Sequence, residues 1–240
     1  MSNTQKIQWK RLLVEGAAIV TSILLAFAID ALWDNRHERI QERRVLESLK
    51  AEFLANADKI PWFIASHQKS ADFALEVLNA MRSAKSDNLL RLPAVKIARV
   101  LGHNSTTLQS GALDATLQSG DLRYVSNPTI RERLSAWPHL VVDATENEDL
   151  LRNLWDPKLV EALAKDVDLT IIDDVDDACW DDPALEGCAS IEIILPRNTE
   201  VMAYLKVTRS YAGEAARELG ILVAEANNIV ILIDQELATH

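Results

Sequence analysis

An uncharged apolar run, GAAIVTSILLAFAI from Gly16 to Ile29, constrains this chain more than any other segment. With Leu12, Leu13 and Val14 before it and Ala31, Leu32 and Trp33 after it, the stretch Leu12 to Trp33 has 22 residues. At ~1.5 Å per residue, a helix of that length covers about the hydrocarbon thickness of a bilayer. Trp9 and Trp33 mark its two ends, where amphipathic rings favour the membrane interface. The pattern predicts a short cytoplasmic tail over residues 1–11, a transmembrane helix over 12–33 and an extracytoplasmic domain over 34–240. Two other readings fit parts of the segment. Ala26-Phe27-Ala28 has the small-x-small form of a signal-peptide cleavage site, although the apolar run continues past it to Trp33 and Glu15 interrupts the start. A buried core helix of a soluble protein is the third.

Positive charge alone leaves orientation nearly tied. Lys6, Lys10 and Arg11 precede the span, and Arg36, Arg39, Arg43 and Arg44 follow it. The only two cysteines, Cys179 and Cys188, break the tie. The loop between them contains Pro183 and Gly187, which let the thiols meet, and a disulfide persists outside the cytoplasm. The expected arrangement in a bacterial inner membrane is amino terminus inside and bulk in the periplasm. Two free thiols in a reducing compartment are the alternative, and a zinc site is poorly served by two cysteines with no nearby His.

Within the span, Ala18, Ser22, Ala26 and Asp30 recur every fourth residue and form one ridge. Small residues at that spacing let helix backbones approach closely, so the ridge is a candidate surface for self-association or for a partner span. Glu15 and Asp30 sit near the two boundaries, within reach of headgroups, with Arg11 one turn before Glu15.

Beyond Trp33 no Gly or Pro occurs before Pro61, so the span is expected to run on as a charged stalk into a first bundle helix. Arg36, Arg39, Arg43 and Arg44 are placed to touch anionic headgroups, although the interspersed Glu38 and Glu42 favour plain solvation. Pro61 is expected to start a second helix, to about Ala84. Pro93 begins a short helix that ends before Gly102, and HNSTT reads as a turn rich in capping residues. Another helix is expected from Gly111 to Ser119, closed by Gly120. Asn127-Pro128 starts the next, which Pro138 kinks or divides, and Pro157 opens one towards Ile172. SIEIILP is the one strand-like run.

The clearest period lies near the carboxyl end. Val201, Leu205, Thr208, Ala212, Ala215, Leu219, Leu222, Ala226, Ile229 and Ile233 form a heptad-like, coiled-coil seam. A long helix is expected there, packed against residues 34–58 and returning the terminus towards the membrane. The fold class is therefore all-α: one transmembrane helix continuing into a helical bundle with a long carboxyl-terminal helix. About 200 residues outside the membrane suffice for one domain with its own core.

The stretch VEGAAIVTSILLAFAIDALWDNRHERIQERRVLESLKAEF resembles the amino terminus of a family of uncharacterised bacterial single-pass membrane proteins. Its pattern there is G-E-I-x-L-V-x-x-G-I-L-I-A-L-x-I-N-x-W-N-x-x-R. Glu15 and Gly16 stand in swapped order, and Ile29, Asp30, Trp33, Asp34 and Arg36 follow its exit loosely. A second block, LDATLQSGDLRYVSNPTIRERLSAW, is similar to that family's L-x-S-G-x-L-x-x-I-x-N-x-x-L-R-x-x-L, through Leu117, Ser119, Gly120, Leu122, Asn127, Arg131 and Leu134. The resemblance implies an anchor and a helical domain and no chemistry. The second block has a plain account as one helix ending and the next beginning, with Arg131 reaching an acid across the bundle. Its alternative is a ligand or partner site where these helix ends meet.

No phosphate loop, HExxH, G-x-S-x-G or dinucleotide fingerprint occurs, and the five histidines are dispersed. No catalysis and no cofactor are expected. Asp166, Asp168, Asp173, Asp174, Asp176, Asp177, Asp181, Asp182 and Glu186 form an acidic run with too little EF-hand spacing for a clear calcium loop. A solvated loop or a face for a basic partner suits it better. A net charge of −11 disfavours nucleic acid, whose phosphates it would repel. The expected partners are the lipid bilayer and a membrane or envelope protein, or a second copy of the chain.

Overall fold

Between Gly16 and Pro61 nothing in the sequence breaks a helix, and one helix passes through the whole interval. The computed structural model describes residues 9–84, 89–102, 104–172, 175, 179, 188 and 191–239. Helix α1 spans Trp9–Ser83, 75 residues, or roughly 110 Å at the usual rise. It is followed by β1 (Leu90–Pro93), α2 (Ala94–Leu101), α3 (Gly111–Ser119) and a 3-10 turn at Asp121–Tyr124. Helix α4 (Pro128–Leu150) passes through a π turn, Leu151–Trp155, into α5 (Asp156–Ala164). A second 3-10 turn (Leu169–Ile172), β2 (Glu192–Leu195) and α6 (Thr199–Leu237) complete the described elements. The architecture is all-α with one small two-stranded ribbon.

Pro61 does not start a second helix, contrary to expectation; it lies inside α1. A proline there removes one backbone hydrogen bond and crowds the preceding turn. Pro61 faces outward, while Ile60 and Phe63 beside it are buried in one core cluster. Packing on both sides of the interruption therefore holds the rod together. Pro157 also behaves differently from the reading. Its helix ends at Ala164 rather than near Ile172, and the turn before it is widened to π geometry. That widening accommodates the missing N–H and the ring of Pro157 without ending the rod.

Other boundaries agree with the reading. Gly111–Ser119 is helical, and Gly120 closes it with φ +76, the left-handed region open to glycine. Asn127 caps α4, its side-chain oxygen accepting from the N–H groups of Thr129 and Ile130. Pro138 is carried within α4 and does not divide it. The strand at Glu192–Leu195 has a partner that the reading missed: Leu90–Pro93 pairs with it antiparallel, Leu92 opposite Ile193.

Every residue of the heptad-like seam in α6, from Val201 to Ile233, is buried. Helix α6 runs antiparallel to α1. Lys50 Nζ lies 2.5 Å from Asp234, and the first turns of α6 share a cluster with the last turns of α1. The carboxyl end thus returns to the level of Asn35–Glu42. Buried side chains fall into two groups. The one nearer the amino-terminal span joins Leu46, Leu49 and Phe53 to α3, α4 and the end of α6. The farther one joins Ala74, Val77 and Met81 to α2, α5, the ribbon, Cys179, Cys188 and the start of α6.

Candidate functional site: a polar layer and a cleft at the foot of the domain

Polar side chains interrupt the buried stripe of α1 at Glu42, Glu52, Asn56, His67 and Ser70. One of these, Asn56, binds a segment that has no regular structure of its own, residues 104–110. Asn56 accepts from Gln109 N–H and donates to Gln109 C=O, both at 2.8 Å. Lys59 Nζ donates to the Thr107 carbonyl at 2.8 Å. Glu52 accepts from the N–H groups of Ala112 (2.6 Å) and Leu113 (3.1 Å), at the start of α3. A carboxylate there satisfies orphan donors and opposes the helix dipole. The turn before α3 is rich in capping residues, yet these N–H groups are capped from α1, 60 residues earlier.

His67 and Glu148 lie between the two apolar groups, with relative exposures of 1% and 3%. His67 Nε2 and Glu148 Oε1 are 2.9 Å apart. Glu148 Oε2 accepts from Thr106 N–H at 2.8 Å, and the Thr106 hydroxyl donates to Oε1. Burial pushes the Glu148 carboxyl pKa up, but the hydrogen bonds from His67 and Thr106 outweigh it, and the net displacement is downward. The group is held as a carboxylate whose acceptor sites are used internally. It ties α1 and α4 to the irregular segment and leaves no open face for a substrate.

A second polar region is open. At the foot of the domain a cleft of about 770 Å³ is lined by Asn35, Glu38, Arg39 and Glu42 of α1, Arg123, Tyr124 and Ser126 of the second sequence block, and Glu236 and Thr239 at the end of the chain. Glu42 Oε1 accepts from Ser126 N–H at 2.6 Å, and Glu236 Oε2 accepts from Asn127 Nδ2 at 2.9 Å. The Arg123 guanidinium lies over the Tyr124 ring, 4.8 Å from its centre, and donates to its hydroxyl at 2.9 Å. Just below, a groove of about 700 Å³ is lined by Ile29, Leu32, Trp33, Asn35, Arg36 and Arg39. The two share Asn35 and Arg39.

Sequence reasoning marked the junction of these helix ends but not the cleft's other walls. Residues 35–42 and 236–239 are brought there by the antiparallel return of α6, for which only the seam was a signal. Arg131 was expected to reach an acid; it donates instead to the Val125 carbonyl at 3.0 Å, and Arg133 makes the cross-bundle ion pair, 2.6 Å from Glu225.

The residues singled out in the span lie on an exposed helix. Trp9 and Trp33 are 69% and 73% exposed, and Ala18, Ser22, Ala26 and Asp30 are exposed along one side. Ser22 Oγ donates to the Ala18 carbonyl at 2.8 Å, so its hydroxyl is satisfied within the helix. The Arg11 side chain lies outside the described residues. Cys179 and Cys188 sit at disulfide distance with Cα atoms 5.5 Å apart, both buried in the farther core. Of the acidic run, Asp173, Asp174, Asp176, Asp177, Asp181, Asp182 and Glu186 lie outside the described residues. Asp166 accepts from Asn198 Nδ2 at 3.0 Å. Asp168 accepts from Thr170, whose hydroxyl and N–H hold its carboxyl below the usual range. Among the described residues no group of three or more His, Cys, Asp or Glu is placed to hold a metal ion.

Together these features define a class: an all-α domain carried on a helix that is long and apolar enough to cross a membrane. No protein-family model, curated protein or solved structure matches the chain.

Proposed function

We propose that this chain is a single-pass membrane protein of the bacterial envelope. In this reading its helical domain stands on the periplasmic side and docks a membrane or envelope protein, or a second copy of itself. One observation carries the reading: apolar span and domain core are parts of one helix, α1, with no break between Trp33 and Leu46. A tether needs only a flexible linker. A continuous helix sets the height and angle of the domain over the bilayer, which matters when that domain must meet something held in the same membrane. The cysteine pair at disulfide distance supports the periplasmic side. The ridge of Ala18, Ser22, Ala26 and Asp30 is the proposed contact within the membrane, and the seam of α6 supplies coiled-coil-like packing to the domain.

Crosslinking in intact membranes tests the reading. Cysteines placed one at a time from Ala18 to Asp30 are expected to crosslink with a period near four, to a discrete partner or to another copy. A flat profile rules out the ridge. Thiol labelling of Cys179 and Cys188 in intact cells tests sidedness: modification only after reduction, and by an impermeant reagent, is expected. Labelling without reductant by a permeant reagent alone overturns the orientation.

The cleft at the domain's foot favours a second reading, a ligand-sensing bundle acting through a membrane partner. It lies on α1 itself, so an occupant would bear directly on the helix entering the membrane. A small molecule that raises the unfolding temperature and alters the crosslinking pattern would select this reading over plain assembly.

A further inference from the structure

Among the described residues, helices α1 and α6 are covered on one side of their pair and open on the other. On α1, Glu52, Asn56 and His67 turn to α3, to the segment 104–110 and to α4. On α6, Glu218 and Glu225 turn to Asn147 and Arg133 of α4. Two points fix the alignment of the helices on the open side. Lys50 meets Asp234, and Gln68 and Asp72 line one open groove with Lys206, Arg209 and Gly213. Leu54, Pro61, Ala65 and Asp72 follow one another by seven, four and seven residues and form one stripe of α1. Gly213, Gly220, Ala224 and Ile231 follow by the same steps and form one stripe of α6. Each stripe is roughly 27 Å long. Because the helices are antiparallel, Leu54 stands at the level of Ile231, and Asp72 at that of Lys206, Arg209 and Gly213.

The two stripes correspond in character at each level. At the end nearer the span, Leu54 and Ile231 are large, apolar and exposed. In the middle, Pro61 and Ala65 stand level with Gly220 and Ala224. At the far end α1 offers an acid, Asp72, and α6 offers two bases, Lys206 and Arg209. All three are exposed, and none is in an ion pair among the described residues. The glycines carry a second signal. Gly213 and Gly220 lie inside a helix, where glycine is less favourable than alanine. A Cβ at either meets no atom within 4 Å, so the chain's own packing does not call for glycine there. A backbone approaching closely from outside does.

We propose that two copies of this chain pair through the open face of α1 and α6, about a twofold axis along the membrane normal. Copies inserted with the same sidedness are related by such an axis, and a half-turn about it leaves every residue at its own height. It sets α1 of one copy against α6 of the other. Asp72 of one copy then faces Lys206 and Arg209 of the other, and Leu54 faces Ile231. Pro61 and Ala65 close on Gly220 and Ala224, and every contact is made twice. Charge commits the face to a second copy: the free acid lies on one helix and the free bases on the other, at one height, and the half-turn brings these opposite signs together. The α1 and α6 helices of both copies form a four-helix bundle that stands directly on the two spans. The proposal rests on the reading of residues 12–33 as a membrane span.

The test uses the full chain in mild detergent, with its mass read by sedimentation equilibrium over a series of concentrations. A monomer–dimer equilibrium is expected. Asp72→Arg alone, and Lys206→Glu with Arg209→Glu, should each raise the dissociation constant by about tenfold or more, because like charges then meet at both symmetric places. An equimolar mixture of those two variants is expected to dimerise as wild type does, since a mixed pair joins opposite signs at both places. The substituted side chains are exposed, so unchanged thermal unfolding confirms that the variants fold. Gly213→Ala with Gly220→Ala should weaken the dimer by about tenfold and yet raise the unfolding temperature of the monomer, because alanine favours the helix and obstructs the approach. A chain that stays monomeric at every concentration, charge variants that dimerise as wild type, a mixture no tighter than its components, or an unchanged dimer in the glycine variant would each overturn the proposal. Carbonate extraction of native membranes separates this failure from that of the underlying reading. A chain released by carbonate is not membrane-spanning, whereas a chain that stays in the membrane but is monomeric in detergent refutes the pairing face alone.

Discussion

The two ends of α1 share one backbone geometry and face different surroundings. From Ile19 to Trp33 the large apolar residues are all exposed, Leu24 at 63% and Phe27 at 66%, and they surround the helix without forming a stripe. From Leu46 to Met81 the buried apolar residues keep to one face, with Leu54 and Trp62 left exposed, and Leu46, Leu49 and Phe53 are fully buried. A helix that is apolar all round wants an apolar solvent, and one with a stripe wants a partner surface. The difference teaches that burial in the domain comes from side-chain contacts, whereas the apolar segment near the amino end has no protein surface against it and suits an apolar medium. Substitutions of the same kind should therefore act very differently at the two ends.

The largest contrast is expected between Phe53→Ala and Phe27→Ala. Phe53 is fully buried and meets the Trp137 ring edge-on, 4.7 Å between centres. Removing it should lower domain stability by about 3–5 kcal/mol, through lost burial and a cavity. Phe27→Ala should leave the denaturant midpoint of the domain within about 0.5 kcal/mol of wild type. Comparable losses at both positions would show that the lower half of α1 also packs on protein.

Glu148→Gln should be next, costing about 1–3 kcal/mol near neutral pH by disturbing a buried, charge-assisted network. Its pH dependence follows from the sign of the Glu148 displacement. A folded-state pKa below the unfolded value contributes stability that is present above the unfolded value and is lost as pH falls through the folded one. Wild type should therefore lose stability below pH ~4, the ordinary glutamate range, and Glu148→Gln should lose less across that window. Denaturant titrations at a series of pH values check this, and parallel curves for the two proteins would remove Glu148 as the cause.

Gly120→Ala is expected to cost about 1–2 kcal/mol, the penalty for an L residue in the left-handed region. A Cβ there meets no atom within 4 Å, so the loss should come from the backbone alone. The smallest effect is expected at the surface pair Lys50–Asp234. Asp234→Asn should change stability by no more than about 1 kcal/mol, less in high salt. A larger, salt-insensitive loss would mean that this contact, not the buried seam, sets the alignment of α6 on α1.

Much of this was legible beforehand, for reasons that particular residues make clear. Periodicity gave away α6, because a helix buried along one side must repeat its apolar residues at the helical period, and all ten seam positions are inside. Gly120 and the Asn127-Pro128 pair were readable because capping chemistry is local. The path of the chain through Pro61 was not, since proline's effect on a helix depends on whether packing on both sides holds it. Nor were β1, the capping of α3 by Glu52, or the meeting of His67 with Glu148, 81 residues apart.

Local spacing thus specified which segments are helical, which faces are apolar and where one segment suits a bilayer. Those properties depend on neighbours three or four residues away, or on composition over one span. The polar layer, the caps supplied from α1 and the cleft above Trp33 arise only when α6 folds back along α1 and carries Glu236 to Glu42. Partners distant in sequence share no period, so their meeting is set by packing of the whole chain.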